Sequence, residues 1–331
     1  MPASRLVLLL GATLLVLAVG SGMVLQGLRQ VWTGPGPLAE PAQIVIPRGG
    51  TEAIAAVLAE RGAIADARRF TLAAWLTGGA GPLRAGEFAF PAQAPLREVL
   101  TILRTARPVQ RRVTIAEGLT ARQIAALIAR TEGMEGETPP VAEGAALPET
   151  YSFAWGDSRA AILRRAEAAM TRALAEAWAA REPGLPLATA RDALILASIV
   201  ERETGREAER ARVAGVFINR LRRGMMLQSD PTVAYAAADG GVLERPISRA
   251  DLDRDHPFNT YRIRGLPPGP IANPGREAMI AVTRPEHHDF LYFVADGSGG
   301  HAFARRLEEH NRNVARWREV ERRRAENGAG R

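Results

Sequence analysis

The sequence predicts an α+β protein behind a single N-terminal transmembrane helix, and three observations carry that expectation. Leu6 to Leu28 holds no charged residue, short β-rich runs alternate with helical periodicity between Ile44 and Gly133, and an apolar run from Ala193 to Val200 leads straight into Glu201 and Glu203. With 331 residues there is material for two modest domains, each with its own core.

Composition narrows the function classes. All 43 basic residues are arginine, and the net charge is +7. Arginine without lysine beside abundant alanine is a mark of genome composition, and attraction to a polyanion is the functional alternative. No arginine run is interleaved with stacking aromatics, so nucleic acid is the weakest polyanion partner. The chain has no cysteine, which removes disulfides, thiolate metal sites and a cysteine nucleophile together. Its five histidines form no H-E-x-x-H pattern, so no metal site and no cofactor is expected.

The elements follow in order. Residues 1–5 form a short end, expected on the cytoplasmic side, before the 6–28 anchor, flanked by Arg5 and Arg29. As a helix the anchor would reach about 35 Å, enough for a hydrocarbon core of about 30 Å. A cleaved signal peptide is the competing reading, and the length of the run favours the anchor. One arginine on either side leaves orientation undecided by charge. Residues 29–43 are a Pro/Gly-rich linker. "IVIPRGGTEAIAAVLAERG", Ile44 to Gly62, reads as strand, turn, threonine cap and helix with an Ile54/Val57/Leu58 face. "VTIAEGLTARQIAALIARTEG", Val113 to Gly133, weakly repeats it with Ile124, Leu127 and Ile128. Between them Leu83–Phe90 reads as a strand and Leu96–Leu103 as a helix. Small β-α units of this kind resemble the carbohydrate-binding LysM module, assigned here to 44–107, with the remaining domain spanning 108–331.

In that second domain Ala160–Trp178 is a surface helix. The next helix is capped at Thr189, with Asp192 as capping-box partner, and Ala193–Val200 is apolar almost all round, so it is buried. Val213–Leu221 is a further helix, followed by loop-rich sequence to Pro274. Phe290–Ala304 reads as two strands joined by GSGG, a hairpin connection rather than a phosphate cradle. Arg305–Arg331 is a charged terminal helix.

Glu201 and Glu203, two positions apart on a helix, diverge by about 200° and cannot share one cleft. A carboxyl held among apolar side chains has its charged form disfavoured, which moves it toward general-acid range. On residue type alone, a helix-end glutamate more often faces water or pairs with arginine, and Arg202 and Arg206 are at hand. Downstream, Asn219, Gln228, Ser229, Asp230, Thr232 and Tyr235 crowd one short span, and Asn259, Thr260, Tyr261 and Asn273 another. Loops so rich in amides and hydroxyls suit sugar hydroxyls and acetamido groups, although Asn and Asp before proline also make ordinary turns.

"ASIVERETG", "RVAGVFINRLRRGMMLQSDPTVAYA", "NTYRIRGLPPGPIANPG" and "LYFVADGSGGHAFA", with "EGAALPETYSF" upstream, resemble successive motifs of the endolytic murein transglycosylase (YceG-like) family. The resemblance implies a single-pass inner-membrane enzyme whose catalytic domain, with a lytic-transglycosylase-like glutamate helix, lies in the periplasm. It implies a carbon–oxygen lyase that cuts internally between N-acetylmuramic acid and N-acetylglucosamine in nascent peptidoglycan. The product would carry a 1,6-anhydro-N-acetylmuramic end and strand elongation would stop, beside the peptidoglycan synthases (penicillin-binding proteins) as partners. It places the general acid/base on Glu203, with Glu201 in reserve. Gln228, Asp230, Thr232, Asn259, Tyr261 and Asn273 are the substrate-binding candidates it suggests. A non-catalytic wall-binding or divisome scaffold and a hydrolytic muramidase stand as the alternatives.

Overall fold

The computed structural model describes the backbone of residues 3–329, and side chains at 13, 17, 19–23, 25–324 and 326. The chain divides into two compact units, one running to Arg111 with Phe153–Gly156, the other formed by Arg112–Ser152 and the chain from Asp157 onward. Helices predominate over short paired strands, consistent with an α+β fold.

The first unit begins with α1 (Ala3–Thr33). The expected anchor over residues 6–28, and with it the single-pass inner-membrane localisation, is corrected here: among the described residues no helix is long and apolar enough to cross a membrane. Among the described side chains of α1, Gly20, Ser21, Gly22, Gln26 and Gly27 break up the apolar run before Arg29 and Gln30. Most side chains in the N-terminal half of the expected span lie outside the described residues.

Beyond α1, β1 (Ala42–Ile46) pairs antiparallel with a strand formed later in the unit. Between them come α2 (Thr51–Glu60) and α3 (Ala67–Leu76). The returning strand is β2 (Gly86–Phe90), and α4 (Leu96–Thr105) follows. Ile44 and Ile46 alternate inward from β1, with Ile44 opposite Phe88 of β2, and Phe88 and Phe90 are buried in the same core, as the two-residue period of a half-buried strand requires. Ile54 and Leu58 of α2, Phe70 of α3 and Leu103 of α4 close that core. Helix α2 starts after Gly50, which makes no side-chain cap, so the expected threonine cap is not formed: Thr51 is already inside the helix. Helix α3 is capped by Asp66, which accepts the Arg68 and Arg69 N–H groups. Glu87, almost fully buried, accepts two guanidinium hydrogen bonds from Arg111, at 2.7 and 3.1 Å.

The second unit opens with β3 (Gln110–Thr114), which carries the chain across the division between the units, then α5 (Ala121–Arg130), whose N-cap Thr120 forms a capping box with Gln123. Strands β4 (Met134–Glu135), β5 (Thr150–Ala154) and β6 (Asp157–Ser158) follow, with β3 paired to β5 and β4 parallel to β6. The body of the unit is helical: α6 (Arg159–Ala179), α7 (Ala190–Glu203) and α8 (Glu207–Arg222). Thr189 and Asp192 form the expected capping box on α7, and every residue from Ala193 to Val200 is buried. Apolar residues cover that helix from several directions, including Met170 of α6 and Phe217 and Ile218 of α8. Each such large side chain taken from water contributes about 1.5–3 kcal/mol, which fixes the helix whose last residue is Glu203.

The stretch expected to be loop-rich contains two short helices, α9 (Asp230–Ala237) and α10 (Arg249–Asp253), before α11 (Arg276–Thr283). Pro231 at the start of α9 explains the difference: proline in the first turn needs no N–H, so what reads as a breaker opens a helix. Strands β7 (Tyr292–Ala295) and β8 (His301–Ala304) form the expected hairpin. Gly297 and Gly299 take φ of 87° and 88° in its turn, where a side chain would be strained. Helix α12 (Leu307–Ala329) ends the described chain.

Candidate active site

Helix α7 delivers its two glutamates to different places. Glu201 is tied down: one oxygen accepts the Gly275 N–H at 2.8 Å and the other lies 3.5 Å from Nη2 of the buried Arg210, which also reaches Glu117 at 3.6 Å. Burial raises its pKa and the neighbouring charge of Glu117 adds to that, against the Gly275 N–H and Arg210.

Glu203 stands at the floor of a cleft of about 560 Å³. Its Oε1 accepts the Ser229 hydroxyl at 2.5 Å. Burial pushes its pKa up to about 7 and the charge of Asp230 adds to this, while the Ser229 hydrogen bond and Arg220 pull the other way. Glu203 is half-buried and lines the cleft, so its carboxyl is desolvated yet within reach of a bound molecule. A carboxylic acid that holds its proton close to neutrality and can hand it to a bound oxygen is what general-acid chemistry needs.

The serine is itself positioned. Ser229, buried, donates its N–H to Thr260 Oγ1 at 2.9 Å, and Thr260 shares a 2.8 Å hydroxyl contact with the buried Thr232. Thr232 in turn donates to the Ser229 carbonyl at 2.7 Å. Gln228, just before, has φ +49°, a left-handed backbone unusual for a residue with a side chain, and it lines the cleft. Strain of that kind gathers where a loop is held for a purpose.

Of the sequence-derived candidates, Gln228, Asp230 and Tyr261 line the same cleft as Glu203. The Tyr261 hydroxyl donates to Asp230 at 2.7 Å; burial, followed by that carboxylate, holds the phenol far above its usual range. Thr232, Asn259 and Asn273 are fully buried and have their polar groups engaged inside the protein. Asn259 donates to the carbonyls of Asp251, Leu252 and Arg254 at 3.2, 3.0 and 2.8 Å, and accepts the Tyr261 N–H at 3.0 Å. Asn273 accepts the Ala146 N–H and donates to the Leu119 carbonyl, both at 2.9 Å, and donates to Glu143 at 3.2 Å. These three support the loops that carry the others.

Several cleft residues escape sequence reasoning. Arg220, buried, lines the cleft while donating to the Leu291 and Leu227 carbonyls at 2.6 and 2.7 Å, with its guanidinium 5.2 Å from the Tyr292 ring. Tyr292 and His301 come from the hairpin, His310 and Trp317 from α12. Nothing in a charged terminal helix signals that it walls a site about a hundred residues away in the chain. Among the described residues no cluster of three or more His, Asp or Glu side chains is placed to hold a metal ion. A concavity of about 460 Å³ in the first unit offers one carboxylate, Asp66, already committed to capping α3.

Fold and site together define an α+β protein with a single desolvated acid in an open cleft lined by tyrosines and an amide. The chain belongs to the YceG-like family, whose model matches residues 44–316. It is 38% identical over 170 residues to an endolytic murein transglycosylase of Bacillus subtilis, covering 51% of this chain and 46% of that protein. An endolytic murein transglycosylase of Streptococcus pneumoniae serotype 2 is 36% identical over 180 residues, covering 52% and 32% respectively. The chain thus spans half or less of the length of these curated relatives. A crystal structure of a YceG-like protein from Listeria monocytogenes superposes with a TM-score of 0.51 at 28% identity, over 83% of this chain and 99% of that one.

Proposed function

We propose that this protein is an endolytic murein transglycosylase, a lyase that cuts the β-1,4 bond between N-acetylmuramic acid and N-acetylglucosamine within nascent glycan strands and so ends their elongation. The observation that carries the reading is the Glu203 carboxyl, held near pKa 7 by burial and bonded to Ser229 at the floor of an open cleft. The names of the relatives supply the substrate class.

In the reaction, Glu203 gives its proton to the glycosidic oxygen as the C1–O bond breaks. The resulting carboxylate takes the proton of the muramic C6 hydroxyl as that oxygen closes onto C1. The proton is returned to Glu203, water is not consumed, and the new end is an internal ether. A hydrolase ordinarily needs a second carboxylate to activate water or attack the sugar; Asp230, bonded to Tyr261, serves here to keep the acid protonated and to orient the substrate. Gln228 and Tyr261 contact the sugars, and the sheet-and-helix module of the first unit serves as a LysM-like glycan-binding element. Peptidoglycan synthases are the partners that such a strand-terminating activity would work beside.

The test is to digest uncrosslinked glycan with wild type, Glu203→Gln and Glu201→Gln and weigh the ends. Anhydro ends are lighter than hydrolysed ends by one water. Anhydro ends from wild type and Glu201→Gln, with turnover by Glu203→Gln lower by about a hundredfold to ten-thousandfold, support the reading. Hydrolysed ends would instead make the protein a muramidase, and no cleavage by folded wild type would make it a scaffold.

A further inference from the structure

The cleft over Glu203 does not end there. A second concavity of about 250 Å³ is lined by the glycine-rich turn of the β7–β8 hairpin and, like the first, by Glu203. The two share Glu203, Ala295, His301 and Trp317, so they are lobes of one groove, and those residues form its waist.

Both of the large waist side chains are held in place. His301 Nδ1 lies 2.7 Å from a Glu209 carboxylate oxygen, and the His301 backbone N–H donates to the other oxygen of the same carboxylate at 3.2 Å. A carboxylate on one ring nitrogen fixes the imidazole's orientation and leaves the other nitrogen to act. Among the described residues His301 Nε2 has no hydrogen-bond partner, and it is not a buried orphan. Trp317 projects from α12 with the Arg324 guanidinium 5.7 Å over its ring, and Arg324 is itself bonded to the Gly297 carbonyl of the turn. A half-buried indole fixed in this way offers an apolar face beside a polar edge, which is what the C–H face and hydroxyl rim of a pyranose ring require.

We propose that Trp317 and His301 clamp the sugar ring at the bond that Glu203 protonates, with Trp317 stacking on the ring and His301 Nε2 hydrogen-bonding its polar rim, and that α12 is therefore part of the active site. Trp317 lies immediately beyond residues 44–316, the span matched to the family, so it is a substrate-contacting residue supplied outside that span. Glu209 is a positioning residue that acts through His301. The proposal rests on the glycan reading of the site, and binding can test it apart from turnover.

The experiment measures binding of uncrosslinked glycan strands to full-length Glu203→Gln protein by calorimetry, alone and combined with Trp317→Ala, Trp317→Phe or Glu209→Gln. Trp317→Ala is expected to weaken binding about tenfold, the scale of one aromatic contact, and Trp317→Phe to recover most of it. Glu209→Gln keeps a hydrogen bond to His301 but removes the charge, and is expected to weaken binding less than Trp317→Ala. Melting temperatures within a few degrees of the parent exclude collapse of α12 as the cause. Equal affinity of the parent and the Trp317→Ala double variant overturns the clamp, whatever the turnover assay gives. Binding that depends on Trp317 in a wild type that releases no anhydro ends would overturn the reaction and keep the clamp.

Discussion

Ser229 and Glu203, 26 residues apart in sequence, meet across 2.5 Å, hydroxyl to carboxylate oxygen. The bond works against burial: it lowers the Glu203 pKa, while desolvation and Asp230 raise it to about 7. The acid form starts the reaction, so turnover should fall as pH rises through about 7. Ser229→Ala removes a lowering influence, and the alkaline limb of the pH–rate profile should move to higher pH while the maximal rate drops. A limb that stays in place or moves down would show that the serine does not set the acid.

The same shift should appear in stability. In the unfolded chain Glu203 loses its proton near 4.5; in the folded protein it keeps it to about 7. Between those values the unfolded state ionises first, so the folded state of wild type loses ground as pH rises, and above the window the loss is constant. Gln at 203 accepts the Ser229 hydroxyl but does not titrate. Melting temperatures taken from pH 4 to pH 8 should therefore show Glu203→Gln gaining on wild type through the window, then holding its advantage. A gap that does not change with pH would mean that Glu203 titrates as it does in an open chain.

Much of the frame behind these residues was legible in the sequence. The Thr189 and Asp192 capping box and the run Ala193–Val200 predict a buried α7 because capping and all-round apolarity are local signals, and both are as expected. The β-formers Ile44, Val45 and Ile46 of β1 and the glycines between β7 and β8 are local in the same sense. The site was only partly legible, because its parts are brought together by packing. Asn259 and Thr232 have the residue types of sugar ligands, but burial commits them to carbonyls and hydroxyls inside the protein. Trp317 and Arg220 reach the cleft from helices whose sequences carry no sign of it. The reading of Leu6–Leu28 as an anchor finds no counterpart among the described residues, where no helix is long and apolar enough to cross a membrane.

Gln228 allows backbone and side chain to be separated. At φ +49° a non-glycine residue is strained by about 1–2 kcal/mol. Glycine relieves that strain but raises the entropy lost on folding by about 0.5–1 kcal/mol. The two effects nearly cancel, so Gln228→Gly should melt within a few degrees of wild type. It removes the amide from the cleft, and KM for glycan should rise severalfold with little change in kcat. An unchanged KM would assign Gln228 to loop geometry alone.

Asn259 should behave in the opposite way. Its amide holds the carbonyls of Asp251, Leu252 and Arg254 while its oxygen accepts the Tyr261 N–H, and the asparagine itself is fully buried. Alanine removes the side-chain partner of the Leu252 and Arg254 carbonyls and of the Tyr261 N–H, while the Asp251 carbonyl keeps the Arg254 N–H, a loss of about 1–3 kcal/mol. Aspartate keeps the acceptor for Tyr261 but turns the donating side into a second acceptor aimed at three carbonyls, so it should be no better than alanine. Both variants should lower the denaturation midpoint in urea, and the Asn259→Ala protein that remains folded at low temperature should retain near-normal KM. A large rise in KM with stability intact would mean that Asn259 reaches the substrate, and that the loop opens to let it.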